Sequence, residues 1–204
     1  MDIFGAVQSI DGHNAVKEVI GITSEKDVDG IERYLQASAV ATRPNYEVLA
    51  DLLKIAKSKV SNDRVRQTLI QAIGSMAFRY ARLPNETYNS EIVQDVEKYL
   101  TTSLKKCPNV ICREPFLRGL QTLQSVETIE QLLEYVDDNE ITVSVTAMKA
   151  LKSFPKRVWT PTHRHRFEDI FFQKNQRYDS SVRTLAIDIL LDLNPSVAQL
   201  KKLL

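Results

Sequence analysis

The 204-residue sequence predicts an all-α fold, a two-layered right-handed superhelix of stacked helix pairs, on three observations. First, a polar turn-forming residue, then Val-Arg or its equivalent, then an apolar stripe of helical period recurs along the chain. It reads Asn62-Asp-Arg-Val-Arg-Gln-Thr-Leu-Ile-Gln-Ala-Ile, Asn139-Glu-Ile-Thr-Val-Ser-Val-Thr-Ala-Met-Lys-Ala-Leu and Asp179-Ser-Ser-Val-Arg-Thr-Leu-Ala-Ile-Asp-Ile-Leu. Second, Val65, Val143 and Val182 are separated by 78 and 39 residues, so one more copy is expected between the first two; Phe116-Leu-Arg-Gly-Leu-Gln-Thr-Leu123 fills that gap off register. Third, only Ile141-Thr-Val-Ser-Val-Thr146 alternates like a strand, and no second strand candidate exists to pair with it.

A period near 39 is that of HEAT- and armadillo-type α-α solenoids, in which each helix pair buries its apolar face against the next. The elements follow in order. The chain opens within a helix, and the first clear one runs from about Ser24, as N-cap, to Ala41, with Val28, Ile31, Leu35 and Ala39 along one face. Asn45 caps a helix carrying Val48, Leu49, Leu52, Leu53 and Ile55, and Asn62 caps another reaching about Arg82. Ser90 opens a helix whose Lys105 and Lys106 suit its negative end. Further helices are expected at about 113–124, 127–136, 140–153, 162–174, 180–193 and from 196 to the end. Ile141–Thr146 is assigned to helix because it fits the repeat. Each of the seven prolines falls at a change of pattern or in a first helical turn. Gly74 and Gly119 lie inside helices; they mark either close helix approach or tolerated imperfections costing about 1 kcal/mol each.

A chain of this length buries roughly 70% of its unfolded surface, so it needs no staple. With 26% charged and 43% apolar residues and a net charge of +1, it has no global pull toward nucleic acid or membrane. No apolar run reaches membrane-spanning length, and the first residues lack the pattern of a signal peptide. Because the sequence stops on the amphipathic Leu200-Lys-Lys-Leu-Leu204, residues 1–204 are read as a single helical superhelix domain, a piece of a longer protein.

The chemistry-bearing residues are few. Cys107 and Cys112, four residues apart in a loop between helices, are either a disulfide or two free thiols; a bridge needs alpha carbons at about 5.5 Å and would contribute roughly 2 kcal/mol. Asn85-Glu-Thr87 is a glycosylation sequon in a loop. His163 and His165, two residues apart, point to different sides of a helix, so no metal site is expected. Residues 152–178 carry a basic excess, including Arg157, Arg164, Arg166, Lys174 and Arg177, opposite an acidic stretch with Glu127, Glu130, Glu134, Asp137, Asp138 and Glu140. Neighbouring repeats of opposite sign attract each other or form a docking surface more readily than they bind nucleic acid. Arg66 and Arg183 each follow a repeat valine, where an arginine either bonds carbonyls at a neighbouring helix end or faces solvent. No catalytic constellation, metal site or cofactor-binding loop is visible, so no enzyme activity is expected.

Three segments carry a family resemblance: Ile31 to Leu53, Cys107-Pro-Asn-Val-Ile-Cys112, and Gln173 to Ser196. Together with the order of helices, they make the chain resemble the helical domain of the large lipid transfer proteins. That group comprises vitellogenin, apolipophorin, apolipoprotein B and the microsomal triglyceride transfer protein large subunit, and the resemblance is strongest to the last branch. It implies a non-catalytic scaffold in the endoplasmic reticulum lumen that docks protein disulfide isomerase and an apolipoprotein B-like lipoprotein. Neutral lipid and phospholipid would be handled by domains absent here. It also implies that Cys107 and Cys112 are joined, and that Arg183 lies in the half of the domain associated with partner contacts. The expected contact residues are Arg157, Arg164, Arg166, Lys174 and Arg177 with Leu200, Leu203 and Leu204. The alternatives are a cytosolic HEAT-like adaptor with reduced cysteines, and a vitellogenin-type yolk lipoprotein.

Overall fold

The computed structural model describes residues 1–23 and 26–203, and within them every regular element is helical. The chain divides into two compact units, Met1–Ser125 and Val126–Leu204. Unit 1 holds α1 (Asp2–Val7), α2 (Ile10–Val19), α3 (Val28–Val40), α4 (Tyr46–Lys57), α5 (Asp63–Tyr80), α6 (Glu91–Lys106) and α7 (Val110–Leu123). Helices α1, α3, α5 and α7 pack side by side as one layer, and α2, α4 and α6 form the second. Unit 2 holds α8 (Ile129–Val136), α9 (Ile141–Lys152), α10 (Pro161–Phe171), α11 (Ser180–Asp192) and α12 (Val197–Leu203), with α9 against α8 and α11, and α10 against α11. Each unit is thus a stack of helix pairs, the α-α solenoid arrangement that the repeat predicts.

The repeat valines explain the stacking. Val65, Val143 and Val182 are each the third residue of their helices, α5, α9 and α11, and all are buried. The intervening copy is α7, whose third residue is Cys112, so the register there is set by Cys112 and not by Phe116. Phe116 is instead a core residue, edge-on to Tyr99 with ring centroids 5.8 Å apart. In α9, burial of Val143, Ala147, Ala150 and Leu151 overrides the strand preference of its β-branched residues.

Caps fix most helix starts. Asn45 accepts from the backbone N–H groups of Glu47 and Val48, and Asn62 from those of Arg64 and Val65. Two starts differ from expectation. Ser24 lies outside the described residues, and α3 begins at Val28, capped by Asp27, whose carboxylate accepts from the Gly30 N–H at 2.9 Å. Helix α7 begins at Val110 rather than 113, because Asn109 accepts from the Cys112 N–H at 3.0 Å. Pro115 therefore sits inside α7, beyond its first turn. The bond that its missing N–H forgoes belongs to the carbonyl of Ile111, an exposed residue. The helix expected at the opening of the chain is two, α1 and α2, both before the first clear one; Ser9 caps α2 by accepting from the Gly12 N–H at 3.0 Å.

Helix carbonyls are satisfied from neighbouring helices. The Ala39 carbonyl near the end of α3 accepts from Ser75 Oγ at 2.7 Å and Arg79 Nε at 3.1 Å, and the Ala56 carbonyl in α4 accepts from the Tyr99 hydroxyl at 2.7 Å. Tyr88 donates to Leu123 at 3.1 Å, and Ser144 to Val136 at 2.6 Å. These carbonyls lie in last turns, where helices lack internal donors. The solenoid is therefore held by polar bonds at helix ends as well as by its apolar interior. No helix among the described residues is long and apolar enough to cross a membrane.

Candidate functional site

The charged face of unit 2 grows from the facing of α8 and α10. Pro161 starts α10, and Thr160 caps it: the Thr160 hydroxyl accepts from the His163 N–H while His163 Nδ1 accepts from the Thr160 N–H. That lock turns His163 Nε2 to Glu130 on α8, 2.9 Å away. One turn further on, Arg166 pairs with Asp137 at the end of α8. Asp137 also accepts from the Tyr178 hydroxyl at 2.7 Å and the Gln176 side-chain amide at 3.3 Å. Burial, together with that carboxylate, pushes the Tyr178 hydroxyl up to about 12, so it remains a proton donor at any physiological pH.

Half of the other six lysines and arginines of residues 152–178, namely Lys152, Lys156 and Lys174, are paired as well. Lys174 bonds Asp169 at 2.7 Å and, as the main cause, holds that carboxyl below its usual range. Lys152 pairs with Asp188, Lys156 approaches Asp192 at 3.9 Å, and Lys202 bonds Glu168 at 2.8 Å. The acidic and basic stretches of the sequence thus meet within unit 2.

The structure consequently divides the expected contact residues. Arg166 and Lys174 are engaged in ion pairs, whereas Arg157, Arg164 and Arg177 have no carboxylate partner among the described residues. Arg157 and Arg177 are exposed; Arg164 is half-buried and lines an open groove with Trp159, Thr160, Pro161, Leu193 and Gln199. Trp159 gives the groove a rigid wall, packed edge-on against Phe167, His163 and Phe154. Leu200 and Leu203 on α12 are half-buried, and Leu204 lies outside the described residues.

Arg183 Nε donates to the Phe171 carbonyl, the last of α10, at 3.1 Å, and its guanidinium lies 5.7 Å from the Phe171 ring centroid. Arg66 differs: it pairs with Asp63 in its own first turn at 2.9 Å.

In unit 1, Cys107 caps the end of α6 and Cys112 lies in the first turn of α7, so they are not in a loop; they are joined as a disulfide with alpha carbons 5.3 Å apart. Asn85 is exposed in the α5–α6 loop with φ 69°.

A polar cluster in unit 1 escaped the sequence reading. His13, 1% exposed on α2, lies between the Tyr34 hydroxyl on α3 at 2.5 Å and Asp51 on α4 at 2.8 Å. Lys17 bonds the same Asp51 oxygen at 2.8 Å. Burial pushes the Tyr34 hydroxyl up to about 12, so it stays protonated beside His13 Nδ1, while His13 Nε2 faces the Asp51 carboxylate. Its only signal in the sequence is a histidine three residues before Val16 on the same helix face. Among the described residues no cluster of three His, Cys, Asp or Glu side chains is placed to hold a metal ion.

Comparison with known proteins agrees with this architecture. A family model described as the vitellogenin TPR domain matches residues 3–204. The microsomal triacylglycerol transfer protein of Drosophila melanogaster is 36% identical over 208 residues, an alignment covering 98% of this chain and 22% of that protein. The microsomal triglyceride transfer protein large subunit of Homo sapiens is 25% identical and that of Danio rerio 21% identical, each over the whole of this chain and 23% of its own length. The chain thus spans under a quarter of each of these relatives. With a match running from residue 3 to residue 204 over stacked helix pairs, the chain belongs to the vitellogenin TPR domain family, with microsomal triglyceride transfer protein large subunits among its relatives.

Proposed function

We propose that this chain is the non-catalytic helical scaffold of a microsomal triglyceride transfer protein large subunit, a piece of a longer protein whose other domains carry the lipid. The observation that carries the reading is the match along the whole chain to transfer proteins of that name. In this reading the scaffold works in the endoplasmic reticulum lumen, supporting lipid transfer and lipoprotein assembly by docking protein disulfide isomerase and an apolipoprotein B-like protein. The Cys107–Cys112 disulfide supports an oxidising compartment over a cytosolic adaptor.

The docking surface is placed at Arg157, Arg164 and Arg177, three arginines of the basic stretch without a carboxylate partner among the described residues, with the Trp159 groove beside Arg164 as its apolar anchor. Arginine and tryptophan are the side chains that dominate protein interfaces, and a charge already satisfied within its own fold contributes little. The test is the triple substitution Arg157→Glu, Arg164→Glu, Arg177→Glu in the full-length protein, measured by co-purification of protein disulfide isomerase, apolipoprotein B binding and triglyceride transfer between vesicles. Weakened partner binding with unchanged thermal stability is expected; unaltered binding of both partners would remove the assignment of this surface.

A further inference from the structure

We infer that Asn85 is an N-glycosylation site, and that the α5–α6 edge of unit 1 is a sugar-bearing, solvent-facing edge. The inference rests on the lumenal location proposed above. Of nine asparagines only Asn85 is followed at the second position by Ser or Thr without an intervening proline, and the triplet is Asn85-Glu86-Thr87.

The loop is built so that the two reacting positions face outward and the middle one faces inward. The Glu86 carboxylate is held by the Tyr80 hydroxyl at 3.0 Å and by the Ser90 hydroxyl at 2.6 Å, and its backbone N–H bonds the Leu83 carbonyl at 3.0 Å. Tyr88 anchors the other side through its bond to Leu123, and Arg82 bonds the Tyr88 hydroxyl at 3.0 Å while lying 3.4 Å from the Phe78 ring centroid. Between these anchors Asn85 and Thr87 are both exposed. The Asn85 side chain makes no hydrogen bond among the described residues, and its φ of 69° places it at the apex of the turn. A glycan there would displace no packed side chain and break no bond of the fold.

In the reaction, the Asn85 side-chain nitrogen attacks the anomeric carbon of an oligosaccharide carried on a polyprenyl pyrophosphate. A C–N bond forms, the glycosyl C–O bond breaks, the lipid pyrophosphate leaves and the amide gives up one proton. Nothing is oxidised or reduced. The Thr87 hydroxyl, two residues on, is the group by which a transferase selects this asparagine. A bulky, hydrated glycan at this apex keeps protein partners off the α5–α6 edge.

The experiment is expression of the full-length protein through a secretory pathway, with peptide mass measured before and after enzymatic removal of N-glycans. Asn85 is expected to carry one glycan, lost in Thr87→Ala and retained in Thr87→Ser. Asn85→Gly, which keeps the left-handed turn, is expected to lose the glycan without lowering the melting temperature. A control acceptor is supplied by Lys59→Asn, which with Val60 and Ser61 completes a triplet in the exposed α4–α5 loop of the same unit. If the control is glycosylated and Asn85 is not, the site is refuted while the lumenal reading stands. If neither is modified, the lumenal reading fails and the site falls with it.

Discussion

Gly74 on α5 lies so close to Gly119 on α7 that a beta carbon added to Gly74 would stand 2.5 Å from the Gly119 carbonyl oxygen. A beta carbon on Gly119 would in turn meet Ile70 at 2.9 Å and Leu100 at 3.0 Å. The glycines are therefore what lets two backbones of the same layer touch, and of the two readings open in the sequence, close approach is the one the fold adopts. The neighbouring Thr122 hydroxyl, bonded to the Gln71 carbonyl at 3.1 Å, fastens the same contact.

Gly74→Ala should consequently destabilise the protein by about 1–3 kcal/mol, an overpacking penalty. On helix propensity alone it would stabilise by about 1 kcal/mol. The sign of the change in urea denaturation separates the two, and a gain in stability would refute close approach as the role of this glycine.

Arg183 is half-buried and bonds a helix-terminal carbonyl, with no carboxylate facing it among the described residues. The penalty for breaking a buried ion pair, about 3–5 kcal/mol, thus has no basis here. Arg183→His or Arg183→Ala should lower stability by about 1–2 kcal/mol, the sum of one hydrogen bond and one cation–π contact. Arg66→Ala, which removes only a pair with Asp63 at the helix surface, should cost less than about 1 kcal/mol. Equal effects of the two alanine substitutions in thermal denaturation would count against the assignment.

Asp51 joins α4 to α2 through His13 and Lys17. Burial alone would raise its carboxyl, but the bonds from Lys17 and His13 outweigh burial and leave it below the ordinary carboxylate value. A carboxyl whose folded value is depressed stabilises fully above its unfolded value, about 3.9, and loses that contribution as pH falls through the folded value. Asp51→Asn should therefore be less stable by about 2 kcal/mol at pH 7, the range for a hydrogen bond to a charged group. The difference should shrink below about pH 4. A pH-independent difference would show that charge at Asp51 is not what holds α2.

The repeat was legible because it rests on local signals: a capping side chain at Asn45, Asn62 or Asp179, then apolar positions at helical spacing. Where two such signals compete the sequence misleads. Pro115 suggests a helix starting just before it, yet the Asn109 cap sets the start and the proline falls inside the helix. The basic patch was legible as composition but not as pairing, since Arg166 finds Asp137 and His163 finds Glu130 only once α8 and α10 are packed. The His13 cluster was not legible: Tyr34 and Asp51 are 21 and 38 residues away, and only the stacking of three helices brings them together.

The Cys107–Cys112 disulfide ties the end of α6 to the first turn of α7, at a junction that other bonds already hold. Asn109 caps α7 at the Cys112 N–H, and Arg113 Nε donates to the Cys107 carbonyl at 3.3 Å. A bridge enclosing so short a loop removes little entropy from the unfolded chain, about 2 kcal/mol. Replacing both cysteines by serine should therefore lower stability by about that amount and leave the helical content by circular dichroism unchanged. Increased amide hydrogen exchange should be confined to the junction around residues 107–112. Alkylation before and after reduction, read by intact mass, checks the bridge itself: no thiol should react until reductant is added. Unfolding of α7 in the double variant would show instead that the bridge, and not the Asn109 cap, positions that helix.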